Sequence, residues 1–401
     1  MTTPASWPKV RLGDIGQSLI GLTYSPNNVK RSGTLVLRSS NIQDERLSLD
    51  DNVYVDSAIP ERLLVRENDI LICVRNGSRR LIGKSVLLDR RVAGETFGAF
   101  MAVYRSDANP FLRYFFQSDD FKAQIDEHLG ATINQITNGS LNSFTVALPG
   151  PSEQATIVAK LSDIDTLIAA LERLIAKKKA IKQGMMQQLL TGRTRLPGFD
   201  MEWRRTTLEL LSDQHRRTID PRKENARQFQ HFSLPSFDDG ELPVHEPGSA
   251  IDSIKFLVPP QAVLVSKLNP RIPRIWAPND IGPNSIASTE FIVMTPKSGT
   301  NRSFLKWIMK SDPITSRMKL LATGTTGSHA RIHSRQVSSL EVSVPHEAEQ
   351  AEIATVLDDA EREIELVDKR LTKAQATKTG MMQQLLTGRT RLPVEADHEC
   401  R

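Results

Sequence analysis

One stretch of fourteen residues occurs twice without a change. Gly184-Met185-Met186-Gln187-Gln188-Leu189-Leu190-Thr191-Gly192-Arg193-Thr194-Arg195-Leu196-Pro197 returns as Gly380 to Pro393, an offset of 196 (380 − 184). Fourteen identical residues in register do not arise by chance, so the chain is two copies of one unit. The offset holds upstream as well. Val146, Leu148 and Pro149 fall on Val342, Val344 and Pro345, and Glu153-Gln154 on Glu349-Gln350. Ile157, Leu161 and Ile168 fall on Ile353, Leu357 and Ile364, and Trp7 and Leu12 on Trp203 and Leu208. A period this long excludes a solenoid, whose repeats run about 20–45 residues.

Between these anchors the copies drift apart. Phe111-Leu112-Arg113-Tyr114 resembles Phe304-Leu305-Lys306-Trp307 at an offset of 193 (304 − 111), followed by Ser118-Asp119 and Ser311-Asp312. Segments 16–60 and 212–253 do not align. Each copy thus joins a divergent globular part to a nearly constant end. A constant part that assembles and a divergent part that reads would produce this pattern.

The constant part carries apolar residues at spacings of 4, 3, 4, 3, 4: Ile157, Leu161, Ile164, Ile168, Leu171, Ile175, and in the second copy Ile353, Leu357, Ala360, Ile364, Val367, Leu371, then Ala374. That is the seam of a helix packed on a helix. Pro149, Pro151 and Ser152, and Pro345 in the second copy, mark where the helices start; each is expected to run to Leu190 or Leu386, with Gly192 and Gly388 as C-caps. Each spans about 40 residues, or about 60 Å. The two helices are expected to pair with each other, antiparallel if a pseudo-two-fold relates the copies. Packing on their own domains is the plainer reading. Lys177-Lys178-Lys179 and Lys182 form a basic run, a solvated face or a phosphate contact. Met185, Met186, Leu189 and Leu190, with their twins Met381, Met382, Leu385 and Leu386, are core filler or a docking surface used twice.

The divergent parts read as α+β. Strands are expected over 34–38, 69–74, 86–88 and 100–104, with a helix over 111–129. In the second copy 262–265, 274–276 and 290–294 play the same roles, with a helix over 304–321, and 332–340 reads as loop into strand. The expected domains are 1–150 and 198–345 for recognition, 151–197 and 346–393 for the spacer helices, and 394–401 as a flexible tail. Polar loops recur at matching places. One holds Arg75, Asn76, Ser78, Arg79 and Arg80 and leads to Lys84; its counterpart holds Lys267, Asn269 and Arg271 and leads to Arg274. A second pair holds Asn134, Gln135 and Asn138, and Thr326, Ser328, His329 and Arg331. Arg, Asn and Gln make two-pronged contacts to base edges, and Lys, Ser and Thr favour phosphate. Each loop taken alone reads as an ordinary solvent loop.

The totals only bound these readings. Lys+Arg exceed Asp+Glu by five (52 − 47), a weak lean toward a polyanion. Two cysteines, Cys73 and Cys400, make no disulfide framework and point to a reducing cytoplasm. Residues 1–10 do not read as a signal peptide, and no apolar run reaches membrane-spanning length. Enzymatic motifs are missing. There is no glycine-rich cofactor loop, Asn109-Pro110-Phe111 lacks the second proline of an adenine methylase motif, and Gly83-Lys84-Ser85 has Ser78 where a phosphate loop needs glycine. No metal-ligand cluster is evident.

Two divergent parts, each followed by the same long helix, resemble the specificity subunits of type I restriction-modification systems. The tags are Leu148-Pro149 with Glu153-Gln154, Pro345 with Glu349-Gln350, and the Met-Gln-Gln-Leu-Leu-Thr-Gly endings at Met186–Gly192 and Met382–Gly388; Asp69-Ile70-Leu71 and Phe232-Ser233-Leu234-Pro235-Ser236-Phe237 also look familial. The resemblance implies a chain without a catalytic site. It implies two domains that each read half of a split, asymmetric DNA target, and an antiparallel coiled coil that sets the gap. It also implies two methyltransferase subunits, restriction subunits that join them, and S-adenosylmethionine, ATP and Mg in those partners. A DNA-binding module for a fused methyltransferase-nuclease, and a coiled-coil scaffold that binds no DNA, are the competing readings. The scaffold predicts little salt dependence of nucleic-acid binding.

Overall fold

The computed structural model describes residues 7–129, 135–324 and 330–393. The chain divides into two compact units: Met1–Ala170 with Leu371–Arg401, and Leu171–Arg370.

The first unit is built on an antiparallel sheet of Gln17–Ile20, Met101–Arg105, Ile70–Cys73 and Ser85–Leu87, in that order. Its two central strands are buried on both faces, which explains their unbroken apolar runs. Side chains alternate between two cores. Ile70, Ile72, Ala102 and Tyr104 join helical Phe111, Leu112 and Phe121. Leu71, Cys73, Met101 and Val103 join Leu35, Leu37 and Phe97 of a second sheet. The second unit repeats this plan. Ser212–His215, Phe291–Pro296, Val263–Ser266 and Ile275–Trp276 form the sheet. Val263, Val265, Ile292 and Met294 face one core, and Leu264, Phe291 and Val293 the other.

The second sheets carry the correspondence that the sequence hides in 16–60 and 212–253. In the first unit Thr34–Leu37 pairs in parallel with Thr96–Phe97 and antiparallel with Tyr54–Val55. In the second, Gln228–Phe232 pairs in parallel with Ser285–Ser288 and antiparallel with Val244–Pro247. The edges differ: Val29–Lys30 is added to the first sheet, Lys255–Leu257 and Thr218–Ile219 to the other side of the second. Each unit is closed by a ribbon, Lys9–Arg11 on Thr145–Ala147 and Arg204–Thr207 on Glu341–Val344.

Three helical expectations change. The single helix over 111–129 is two, Asn109–Phe115 and Asp119–Leu129, because the Ser118 hydroxyl accepts from Phe121 N and restarts the chain. The helix over 304–321 is likewise Arg302–Lys310 and Asp312–Leu321, with Pro313 in the first turn of the second. Within 332–340, Ser334–Ser338 is a helical turn, and the strand begins only at Glu341.

The long helices are Pro151–Leu189 and Glu347–Leu385, 39 residues each. Both pass from one unit into the other. In the first unit, Asp165 meets Lys378 at 3.0 Å and Glu153 meets Arg391 at 3.5 Å. In the second, Lys178 meets Glu363 at 2.6 Å, Lys182 meets Glu361 at 3.3 Å, and Arg195 meets Glu349 at 2.6 Å. One number falls as the other rises, so within each unit the helix segments run antiparallel. Ile157, Leu161, Ile168, Ile175, Ile353, Leu357, Ile364, Val367 and Ala374 are buried; Ile164, Leu171, Ala360 and Leu371 are half-buried. No helix among the described residues is long and apolar enough to cross a membrane.

Candidate nucleic-acid interface

The repeated fourteen residues have a common job in both units. Met186, Leu189 and Leu190 belong to the second unit's core with Leu208 and Phe304, and Met382, Leu385 and Leu386 to the first unit's core with Leu12 and Phe111. They are core filler, and the docking reading of these positions falls away. The chain then turns at Gly192 (φ +70°) and Gly388 (φ +69°), a left-handed conformation that side chains resist. A β-carbon there would lie 3.2 Å from the Trp203 ring and 3.3 Å from the Trp7 ring. Thr191 and Thr387 each donate to the carbonyl four residues back, at 2.6 Å. The arginine then closes the turn: Arg195 binds both oxygens of buried Glu349 at 2.6 and 2.7 Å, and Arg391 reaches Glu153. Trp7 donates its indole N–H to Glu153 at 2.9 Å.

The basic run is partly spent inside the second unit. Lys178 pairs with Glu363, and Lys182 joins Lys306 and Lys310 around Glu361. Burial raises the Glu361 carboxyl, but these three ammonium groups outweigh it and hold the group below its usual range. Lys177 and Lys179 are exposed.

The divergent loops meet at one three-segment junction in each unit. In the first, Ile136 N donates to Val74 O at 2.8 Å, Arg75 bridges Gln135, and Val74 N and Arg75 N both donate to Phe100 O at 3.0 and 3.1 Å. In the second, Ile332 N donates to Lys267 O at 3.0 Å, Leu268 bridges Arg331, and Lys267 N donates to Glu290 O at 2.8 Å. Loops that the sequence only places at matching positions are thus hydrogen-bonded neighbours, in the same register twice.

The individual side chains differ in what they have left to offer. Arg75, Ser78 and Arg80 are exposed, and the Arg75 guanidinium lies over the Phe100 ring at 5.2 Å. Asn76 folds back to accept from Ser78 N at 2.9 Å. Arg79 reaches Asp126 at 3.2 Å, and Lys84 is half-buried beside Cys73. Gln135 is half-buried, and Asn138 opens the turn Asn138–Ser143 with its side-chain oxygen buried and unpartnered.

In the second unit Lys267 is half-buried near the Phe256 ring. Burial pushes its ammonium below the ordinary range; Glu290 opposes this, and Arg331 and Arg216 add to it. Asn269 sits at φ +47° with its side-chain oxygen buried and unpartnered. Arg271 is exposed, whereas Arg274 grips Asp238 with two bonds, at 2.7 and 2.8 Å. Arg331 grips Glu290 likewise, at 3.1 and 2.9 Å. Asn134, Thr326, Ser328 and His329 lie outside the described residues. Sequence reasoning passed over Phe100 and Glu290. Their shared signal is position: each immediately precedes a central strand whose first four residues are buried.

With this geometry in hand, the comparisons with known proteins have a clear meaning. Residues 4–183 match the family described as the type I restriction modification DNA specificity domain. The chain is 28% identical over 190 residues to the EcoKI specificity subunit of Escherichia coli K12, covering 45% of this chain and 40% of that relative, so the match spans less than half of the relative's length. The fold matches the crystal structure of a type I restriction-modification S subunit from M. genitalium, with a TM-score of 0.59, 13% identity, and 96% of this chain and 97% of that one covered. It also matches a chain from a study of complex assembly and conformational transition of the type I system, with a TM-score of 0.57, 17% identity, and 97% and 100% covered. Residues 4–183 are thus similar to a type I restriction modification DNA specificity domain, and the second half of the chain repeats the same plan.

Proposed function

We propose that this chain is the non-catalytic, sequence-reading subunit of a type I complex. Each unit reads one half of a split duplex target, and the long helices set the gap between the halves. The observation that carries this reading is the three-segment junction, built twice in one backbone register on a repeated frame but with different side chains in each copy. A target read by two unlike surfaces is asymmetric. Half-sites on one side of the duplex lie about 10 bp apart, centre to centre.

Arg75, Arg80 and Arg271 supply positive charge that no carboxylate takes up among the described residues. Such groups bind phosphate or base edges. Chemistry comes from partners: two methyltransferase subunits using S-adenosylmethionine on adenines, joined by restriction subunits using ATP and Mg. The Met-Leu patches are spent on the cores, so docking of these partners falls to other surfaces.

The test is co-expression with the neighbouring methyltransferase subunit in a host lacking adenine methylation, followed by mapping of modified bases. A single two-part asymmetric motif, lost when this chain is omitted, is expected. Methylation independent of this chain contradicts the proposal. Lengthening one long helix should change only the gap, and an unchanged gap would remove the spacer role.

A further inference from the structure

We infer that the three side chains at each loop junction are the specificity positions of that unit, and that Phe100 is a base-contacting residue of the first half-site. The inference rests on the recognition reading above. The backbone equivalence fixes which residues correspond: Arg75 with Leu268, Gln135 with Arg331, and Phe100 with Glu290. Two hydrophobic cores and two matching backbone hydrogen bonds hold both junctions, yet every one of the three side chains has changed its chemistry.

In the first unit the outcome is an aromatic ring beside an unpaired cation. Phe100 is 58% exposed, although the four strand residues that follow it, Met101 to Tyr104, are buried. A single exposed apolar side chain is ordinary on a protein surface. Three facts set this one apart. Its carbonyl accepts two backbone hydrogen bonds, so the ring is carried on a fixed backbone. The Arg75 guanidinium lies over its face, 5.2 Å from the centroid, and its charge is taken up by no carboxylate among the described residues. The third segment brings Gln135 alongside. In the second unit the corresponding groups neutralise one another, with Arg331 held by two bonds to Glu290 beside Leu268.

The chemistry of the first triad matches base edges in the major groove of duplex DNA. Arginine reads the two acceptors of guanine, glutamine reads adenine, and an apolar group meets the thymine methyl. The occupant is therefore a short base-pair step of the first half-site, with Arg75 on a guanine edge and Phe100 on a neighbouring thymine methyl. The second triad offers no free arginine at this place, so it selects a different step.

The experiment uses the full chain in its methyltransferase complex. Methylation motifs are mapped for Phe100→Ala, for Arg75→Ala, and for a transplant of the second unit's pair into the first, Phe100→Glu with Gln135→Arg. Binding to duplexes that differ only in the first half-site is measured alongside. Phe100→Ala and Arg75→Ala should each relax the first half-site at one or two positions and lower discrimination there about tenfold or more. The transplant should change the base preferred at those positions, and the second half-site should stay as it was in all three. Phe100→Leu keeps an apolar contact and should retain most of the discrimination, which separates base contact from a folding defect. A first half-site unchanged in Phe100→Ala and in the transplant overturns the proposal. So does a uniform loss of affinity across sequences with a shallower salt slope, the mark of phosphate contact. A wild-type complex with no two-part motif refutes the recognition reading and this inference with it.

Discussion

The turns that end the long helices and the junctions of the divergent loops are both built twice, but the two copies have kept one and changed the other. At the helix ends each side chain faces the same partner in both units: leucine in a core, glycine against a tryptophan ring, arginine on a glutamate. A change at any of these must be answered by its neighbours, so the fourteen residues stay identical. At the loop junctions the backbone bonds and one buried isoleucine, Ile136 or Ile332, are shared, while the side chains at the three facing positions differ. Backbone hydrogen bonds tolerate any residue but proline, so the side chains can diverge. Repeated contacts mark the frame, and repeated backbone with changed side chains marks the surfaces proposed to read.

The comparison is most sharply broken at the cores. Leu385→Ala or Leu189→Ala removes a buried side chain and should cost about 2–5 kcal/mol in denaturant unfolding. Unchanged stability with loss of a methyltransferase partner would restore the docking role to these leucines.

Next come the two glutamates. Glu349 is 2% exposed and holds Arg195 with two short bonds, so Glu349→Gln should cost about 3 kcal/mol. Glu153 is 12% exposed and meets Arg391 at 3.5 Å, so Glu153→Gln should cost about 1 kcal/mol. Equal losses would mean that the two turns are energetically the same despite their geometry. Gly388→Ala forces a β-carbon into a left-handed turn against Trp7 and should cost about 1 kcal/mol, as should Gly192→Ala against Trp203.

The smallest effect separates the units by pH. His231 contacts Glu246 at 2.6 Å in the second unit, where the first has buried Val36 at the corresponding strand position. Burial lowers the His231 pKa from its usual 6.5; Glu246 opposes this and Lys255 reinforces it. The unfolded chain then holds the proton more tightly than the folded one. Stability should fall as the pH drops below about 6.5 and level off once the folded group is also protonated. Three of the four tryptophans lie in the second unit, so their fluorescence follows this loss. A flat profile that His231→Gln leaves unchanged would remove the effect.

The frame was legible because its signals are local. The 4-3 spacing, the glycine stops and the offset of 196 can each be read along one strand of text. The helix breaks were written in the same text: Ser118-Asp119 and Ser311-Asp312 are restart signals that a continuous apolar pattern obscured. The apolar ends of the long helices were ambiguous because the same stripe suits a domain core or a partner. The reading junction was half legible. Its polar loops stood at matching positions, but Val74 and Ile136 are 62 residues apart (136 − 74), and only the fold brings them together. Phe100 and Glu290 escaped because an apolar residue before a strand looks like core, and an acidic one looks like solvent.

The most direct test of the division between frame and reader is to replace residues 1–150 with the first domain of another family member and map methylation by the assembled complex. The account expects one half of the motif to change, with the other half and the gap preserved. A change in both halves, or in neither, would contradict it.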